Sequence, residues 1–165
     1  MLTDRLLESW DRQGQILDNI AGLITDELKD KRPDPDGMPL YEQLAHIHNT
    51  RRFWLSKTDP SFLEGYGRSY VQLSEEEWEP LKDIEELRKL LRASEKAVRD
   101  ATEKALRGGV EKFGGYDHPV FFLQHMLWHE GYHFALILLA LRLAGVEPSE
   151  EWEEANVWGL WRVEE

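Results

Sequence analysis

Residues 117–145 read DHPVFFLQHMLWHEGYHFALILLALRLAG. Asp117-His118-Pro119 supplies a cap residue followed by an early proline, an entry that costs a helix nothing because its first N–H groups have no partner anyway. Gly145 supplies the left-handed stop. Between them runs an apolar segment far too long for a strand, so a helix is predicted to about Ala144. Its most apolar run, Phe134 to Leu141, ends at Arg142 and is too short to span a bilayer.

Three more helices follow from the same periodicity. Leu6, Trp10, Leu17, Ile20, Leu23, Ile24 and Leu28 recur at three- and four-residue steps, which predicts a first helix over about Thr3 to Leu28. KDKRPDPDGMP stops it, and Pro39 opens a second helix over about Leu40 to Lys57. Asp83 and Glu86 have the spacing of a capping box. From there Ile84, Leu87, Leu90, Leu91, Val98, Ala101 and Ala105 stripe a third helix as far as GGVEKFGG. The stretch from Thr58 to Pro80 is long for a connection within a compact domain. Its Phe62, Tyr66, Tyr70 and Trp78 predict a packed loop crossing one end of the molecule, so helices two and three need not be antiparallel neighbours. No strand pattern or internal repeat stands out. The expectation is an all-α four-helix bundle forming one domain over residues 1–165. Its tail, carrying Trp152, Trp158 and Trp161, should fold back on the bundle or on a second copy.

Composition narrows the function. The chain has 165 residues with 41% apolar content, the profile of a globular domain. The formal charge of −12 argues against a duplex nucleic-acid partner and against anionic membrane surfaces. With no cysteine there is no disulfide, thiolate ligand or Cys nucleophile. The opening MLTDRLLESWDRQ carries charges throughout and no apolar core, so no secretory signal and a cytoplasmic location are expected.

Histidine is where chemistry can sit. His125, His129 and His133 are four residues apart on the last helix and share one drifting stripe. Imidazoles at i and i+4 can grip one cation, and neutral imidazole suits zinc, nickel, copper or iron. A further ligand must come from another helix, and the second helix offers His46 and His48. They lie about 200° apart, so one alone can face inward. Against the face of Leu40, Leu44, Ile47, Trp54 and Leu55, periodicity slightly favours His48. His129-Glu130-Gly131-Tyr132-His133 also has the His-Glu-x-x-His spacing of zinc hydrolases, with Glu130 the candidate base. Glu130 has two plainer readings: a solvated residue, or a partner of an imidazole. Asn49 and Arg52, a turn or so beyond His46, could line a pocket or belong to the surface.

Taken together, these motifs resemble the DinB/YfiT-like family of metal-binding four-helix bundles. Leu44-Ala45-His46 followed by Phe53-Trp54-Leu55 looks like its helix-two motif, and His125, His129 and His133 look like its histidine string. The resemblance covers most of the chain and extends to the tail NVWGLWR. It implies that His46, His129 and His133 bind a divalent metal, zinc or nickel first, with His48 and His125 outside the ligand set. It implies no catalytic residue. Where many members continue after the last histidine with Arg-Gly-Gln, this chain has Phe134-Ala135-Leu136, so a shared substrate contact there has no support.

Three neutral imidazoles leave a divalent ion its full charge and one open position, where a bound water or thiol loses its proton more readily. With that chemistry, the resemblance to the family implies a metal-dependent transferase using a low-molecular-weight thiol of the bacillithiol type on a small-molecule substrate. The alternatives are a metal-dependent hydrolase and a non-catalytic stress-response protein binding metal or a small ligand. A homodimer is expected from the apolar surface of the tail and helix faces.

Overall fold

The computed structural model describes residues 2–162. Its elements in chain order are α1 (Leu2–Ala21), α2 (Leu40–Thr58), a 3₁₀ turn (Pro60–Leu63), β1 (Tyr70–Gln72), β2 (Trp78–Pro80), α3 (Ile84–Arg107), α4 (Pro119–Leu143), α5 (Glu150–Glu153) and a π-helical turn (Glu154–Trp158). The long helices form an all-α bundle.

Cross-helix pairs give the directions. Asp11 meets Arg99 and Asp18 meets Arg88, so α1 and α3 are antiparallel. Arg51 reaches Leu91 and Ser94 while Asp59 reaches Lys104, so α2 and α3 run parallel as neighbours. Gln43 meets His133 and Trp54 meets His125, so α4 returns antiparallel to α2. A parallel pair needs a connection that travels the full helix length, which accounts for the long passage between α2 and α3. That passage holds a short antiparallel pairing of β1 with β2, which the sequence reading did not anticipate. Three-residue strands are too short for alternation to register as a pattern.

α1 is the other departure. It ends at Ala21 rather than Leu28, and turns follow from Gly22, a poor helix former placed before β-branched Ile24 and Thr25. Ile24 remains buried, and Leu23 and Leu28 pack against the core, so the apolar stripe continued past the helix that it implied. Asp83 caps α3 by accepting from the Glu86 N–H at 3.0 Å. His118 caps α4, its Nδ1 accepting from the Val120 N–H at 3.2 Å, and Gly145 takes φ +83° beyond its end.

The tail folds back on α1. Arg12 donates to the Leu160 carbonyl at 2.6 Å and Asn19 to the Asn156 carbonyl at 3.0 Å, while Val157 enters the core. Trp158 and Trp161 stay exposed. Among the described residues no helix is long and apolar enough to cross a membrane.

Candidate metal centre

The antiparallel pairing of α2 with α4 brings His46 beside His129 and His133. His129 Nε2 lies 3.2 Å from His46 Nε2 and 3.2 Å from His133 Nε2. Each of the three side chains offers a ring nitrogen, all within 4.8 Å of one another. Ligand nitrogens about 2.0–2.1 Å from one tetrahedral zinc stand about 3.3 Å apart, so this spacing is what a shared ion requires.

Two helices suffice because His129 and His133 stack one turn apart on α4 while His46 faces them across the seam. His133 is buried; His46 and His129 are half-buried, at the edge of the bundle rather than its centre. Desolvation holds all three imidazoles below their ordinary pKa. His129 is pushed down to about 4, by burial first and then by the neighbouring His46, His125 and Arg51 charges. His133 is pushed down to about 3, by burial and then by His129 and His46. His46 is lowered by burial, against an opposing pull from Glu42 one turn earlier. Near neutral pH the rings are uncharged and keep lone pairs for a cation.

Gln43 sets the direction of one of those lone pairs, and the sequence reading missed it. Its amide nitrogen donates to the Met38 carbonyl at 3.3 Å, which turns its Oε1 toward His133 Nδ1. That oxygen can only accept, so Nδ1 carries the proton and Nε2 presents its lone pair to His129 and His46. The signal was the spacing: Gln43 sits three residues before His46, one turn away on the same face of α2. Thr50, one turn beyond His46, brings its hydroxyl to 3.5 Å from His46 Nε2.

The remaining candidates lie elsewhere. His48, which periodicity favoured, is fully buried and hydrogen-bonds the Gly67 carbonyl through Nε2 at 3.1 Å. Burial pushes it down to about 4, and its Nδ1 has no partner. Periodicity identified the buried histidine correctly, but the imidazole cluster occupies a different face of α2. His125 Nδ1 shares a hydrogen bond with the Tyr116 hydroxyl at 2.6 Å and its ring packs against Trp54, outside the cluster.

Glu130 matches neither of its plainer readings. It is 1% exposed and accepts from Arg51 Nε at 2.6 Å inside the bundle. One step along α4 turns it about 100° from His129. The His-Glu-x-x-His spacing is present, but its carboxylate belongs to a buried ion pair.

A family model described as the DinB superfamily matches residues 6–137. Searches of curated proteins and of solved structures returned no match. The matched stretch holds most of α1, all of α2 and α3, all three clustered histidines and most of α4, and the chain belongs to the DinB superfamily.

Proposed function

We propose that this protein binds one divalent transition-metal ion, zinc or nickel, through His46, His129 and His133, and uses it in a transferase reaction. The attacking group in this reading is a low-molecular-weight thiol of the bacillithiol type. The observation that carries the proposal is the trio of Nε2 atoms at ligand spacing, with Gln43 fixing the tautomer of His133. Such an ion has a position left over for a thiol and lowers its pKa. The chain's own contribution is to hold neutral, preoriented imidazoles at the bundle edge, where a small molecule can reach them. Thr50 places a hydroxyl beside His46 to orient an incoming group. The transferase is preferred to the hydrolase alternative because Glu130, the base that alternative named, is paired with Arg51.

Self-association is part of the same proposal. Phe121, Trp128, Tyr132, Leu139 and Leu143 form an exposed apolar stripe on α4, and a second copy would cover it. A helix apolar on every side belongs in an interior.

Metal analysis of untagged protein tests the reading. One ion per chain is expected, lost in His46→Ala, His129→Ala or His133→Ala and kept in His48→Ala and His125→Ala. Conjugation of a model electrophile to bacillithiol should stop with chelator. Equal rates with and without chelator would remove the transferase, and metal uptake without any turnover would favour the binding protein.

A further inference from the structure

Between α2 and the β1–β2 segment lies a cleft of about 470 Å³, lined by Asn49, Arg52, Phe53, Arg68, Tyr70 and Trp78, among others. On α2 it follows the line of His46: Asn49, Phe53 and Ser56 stand three, seven and ten residues further on, the spacing of one helical stripe. At 1.5 Å per residue the cleft therefore covers about 5–15 Å of helix beyond the imidazole.

Its charge is unusual for this chain. Most arginines elsewhere are neutralised by carboxylates, Arg88 and Arg92 by Asp18, Arg99 by Asp11 and Arg107 by Glu103, whereas Arg32, outside the cleft, donates only to the Gly37 carbonyl among the described residues. Arg52 and Arg68 have no carboxylate partner among the described residues, in a protein with 32 acidic residues. Arg52 is held in place without being neutralised. Its Nη1 donates to the Tyr66 and Gly67 carbonyls at 3.0 Å and its guanidinium lies 5.2 Å from the Tyr66 ring, which leaves its charge without a carboxylate among the described residues. Among the described residues Arg68 makes only a cation–π contact, 5.6 Å from the Trp78 ring. Aromatic rings share the space, and Phe53 is 52% and Trp78 42% exposed, both costly to leave in water. The Tyr70 hydroxyl stays protonated, its pKa raised to about 12 chiefly by burial, so it can donate a hydrogen bond. Glu42, one turn before His46 on α2, adds its charge to the burial that keeps the Tyr70 hydroxyl protonated.

We propose that this cleft binds an organic anion, a carboxylate or phosphate carried on a flat apolar body, with Arg52 and Arg68 on the anion and Phe53, Tyr70 and Trp78 against the body. Assigning this anion as the substrate whose reactive end meets the imidazoles rests on the metal reading above; the cleft itself does not. A charge-assisted hydrogen bond to an unneutralised guanidinium is strong enough to decide which ligands stay.

Calorimetric titration of the full chain with 1-naphthoate and 1-naphthyl phosphate, against neutral 1-naphthamide, tests this. The anions should bind at least tenfold more tightly than the amide. Arg68→Gln, a change at an exposed residue whose fold can be checked by circular dichroism, should cost the anions about tenfold and leave the amide unchanged. Arg32→Gln, which alters an unpaired arginine outside the cleft, should change nothing. Equal binding of amide and anions, no binding of either anion, or full affinity in Arg68→Gln would overturn the proposal. Undiminished anion binding in His129→Ala supports the cleft as an independent site. If the wild type takes up no metal yet binds the anions, the cleft stands and only its assignment to the reaction falls.

Discussion

Arg51 and Glu130 form an ion pair, Nε to Oε1 at 2.6 Å, with both side chains 1% exposed. Each adjoins a residue of the site: Arg51 follows Thr50 on α2 and Glu130 follows His129 on α4. The guanidinium also donates to the Leu91 carbonyl and the Ser94 hydroxyl and lies over the Trp10 ring. This pair fixes α2 against α4 in the register that lets His46 meet His129. Removing one partner strands the other charge in the interior, at a cost of about 3–5 kcal/mol. Glu130→Ala is therefore expected to lower stability by that amount in urea unfolding. The double variant Arg51→Met, Glu130→Leu should recover most of it, and a double variant no more stable than the single would show that the pair is not coupled.

Gln43 should matter to affinity and not to stoichiometry. Gln43→Leu removes the acceptor that holds His133 in the needed tautomer while leaving all three imidazoles in place. Loss of such an outer partner typically weakens metal binding about 10–100-fold. Competition titration against a chelating dye should show that drop with one ion still bound at saturation. Unchanged affinity would deny Gln43 an orienting role.

Glu95 predicts a pH effect. Its carboxyl lies against Gly14, and burial raises its pKa from an ordinary 4.5 to about 7, opposed by Arg51 and reinforced by Glu130 and more distant acids. Between those values the folded chain holds a proton that the unfolded chain has released. Glu95's stabilising contribution is therefore complete below about pH 4.5 and lost as pH rises through 7. The slope from one such group is at most about 1.4 kcal/mol per pH unit. Glu95→Gln should be more stable than wild type at pH 8 and little changed at pH 5 in thermal melts. Equal effects at both pH values would mean that Glu95 titrates normally.

His48 acts in the opposite sense. Burial lowers it from 6.5 to about 4, so its contribution is complete above pH 6.5 and is lost as pH falls toward 4. His48→Gln, which can still donate to the Gly67 carbonyl, should flatten the acid limb of the stability profile. An unchanged acid limb would assign that loss to other groups.

Trp128 is 75% exposed on the apolar stripe of α4. If a second copy covers this stripe, Trp128→Glu should weaken self-association at least a hundredfold in sedimentation equilibrium while leaving the melting temperature of the monomer unchanged. A wild-type chain that sediments as a monomer at high concentration would end the dimer reading.

The helices were legible where local chemistry dictated them. Pro39, Asp83, Pro119 and Gly145 set boundaries by backbone rules that act within a turn. The end of α1 was not, because Ile24 and Leu28 are buried by the following turns as well as a helix would bury them. The choice between His46 and His48 was hidden for a related reason. Periodicity reports which side chain leaves water, whereas the imidazole cluster sits half-buried at the edge of the α2–α4 seam. Only the resemblance to a family, through Leu44-Ala45-His46, indicated the residue that the structure sets beside His129 and His133. Glu130 was misread because its partner Arg51 lies 79 positions away in sequence, and no spacing rule connects them.

His46 and His129 are separated by 83 positions, with all of α3 between them. An ion gripped by both would work as a removable staple on a chain that has no cysteine for a permanent one. It would bind the folded chain alone and hold the second and last long helices together until it is stripped away. Resistance to heat and to proteases would then follow the supply of the ion.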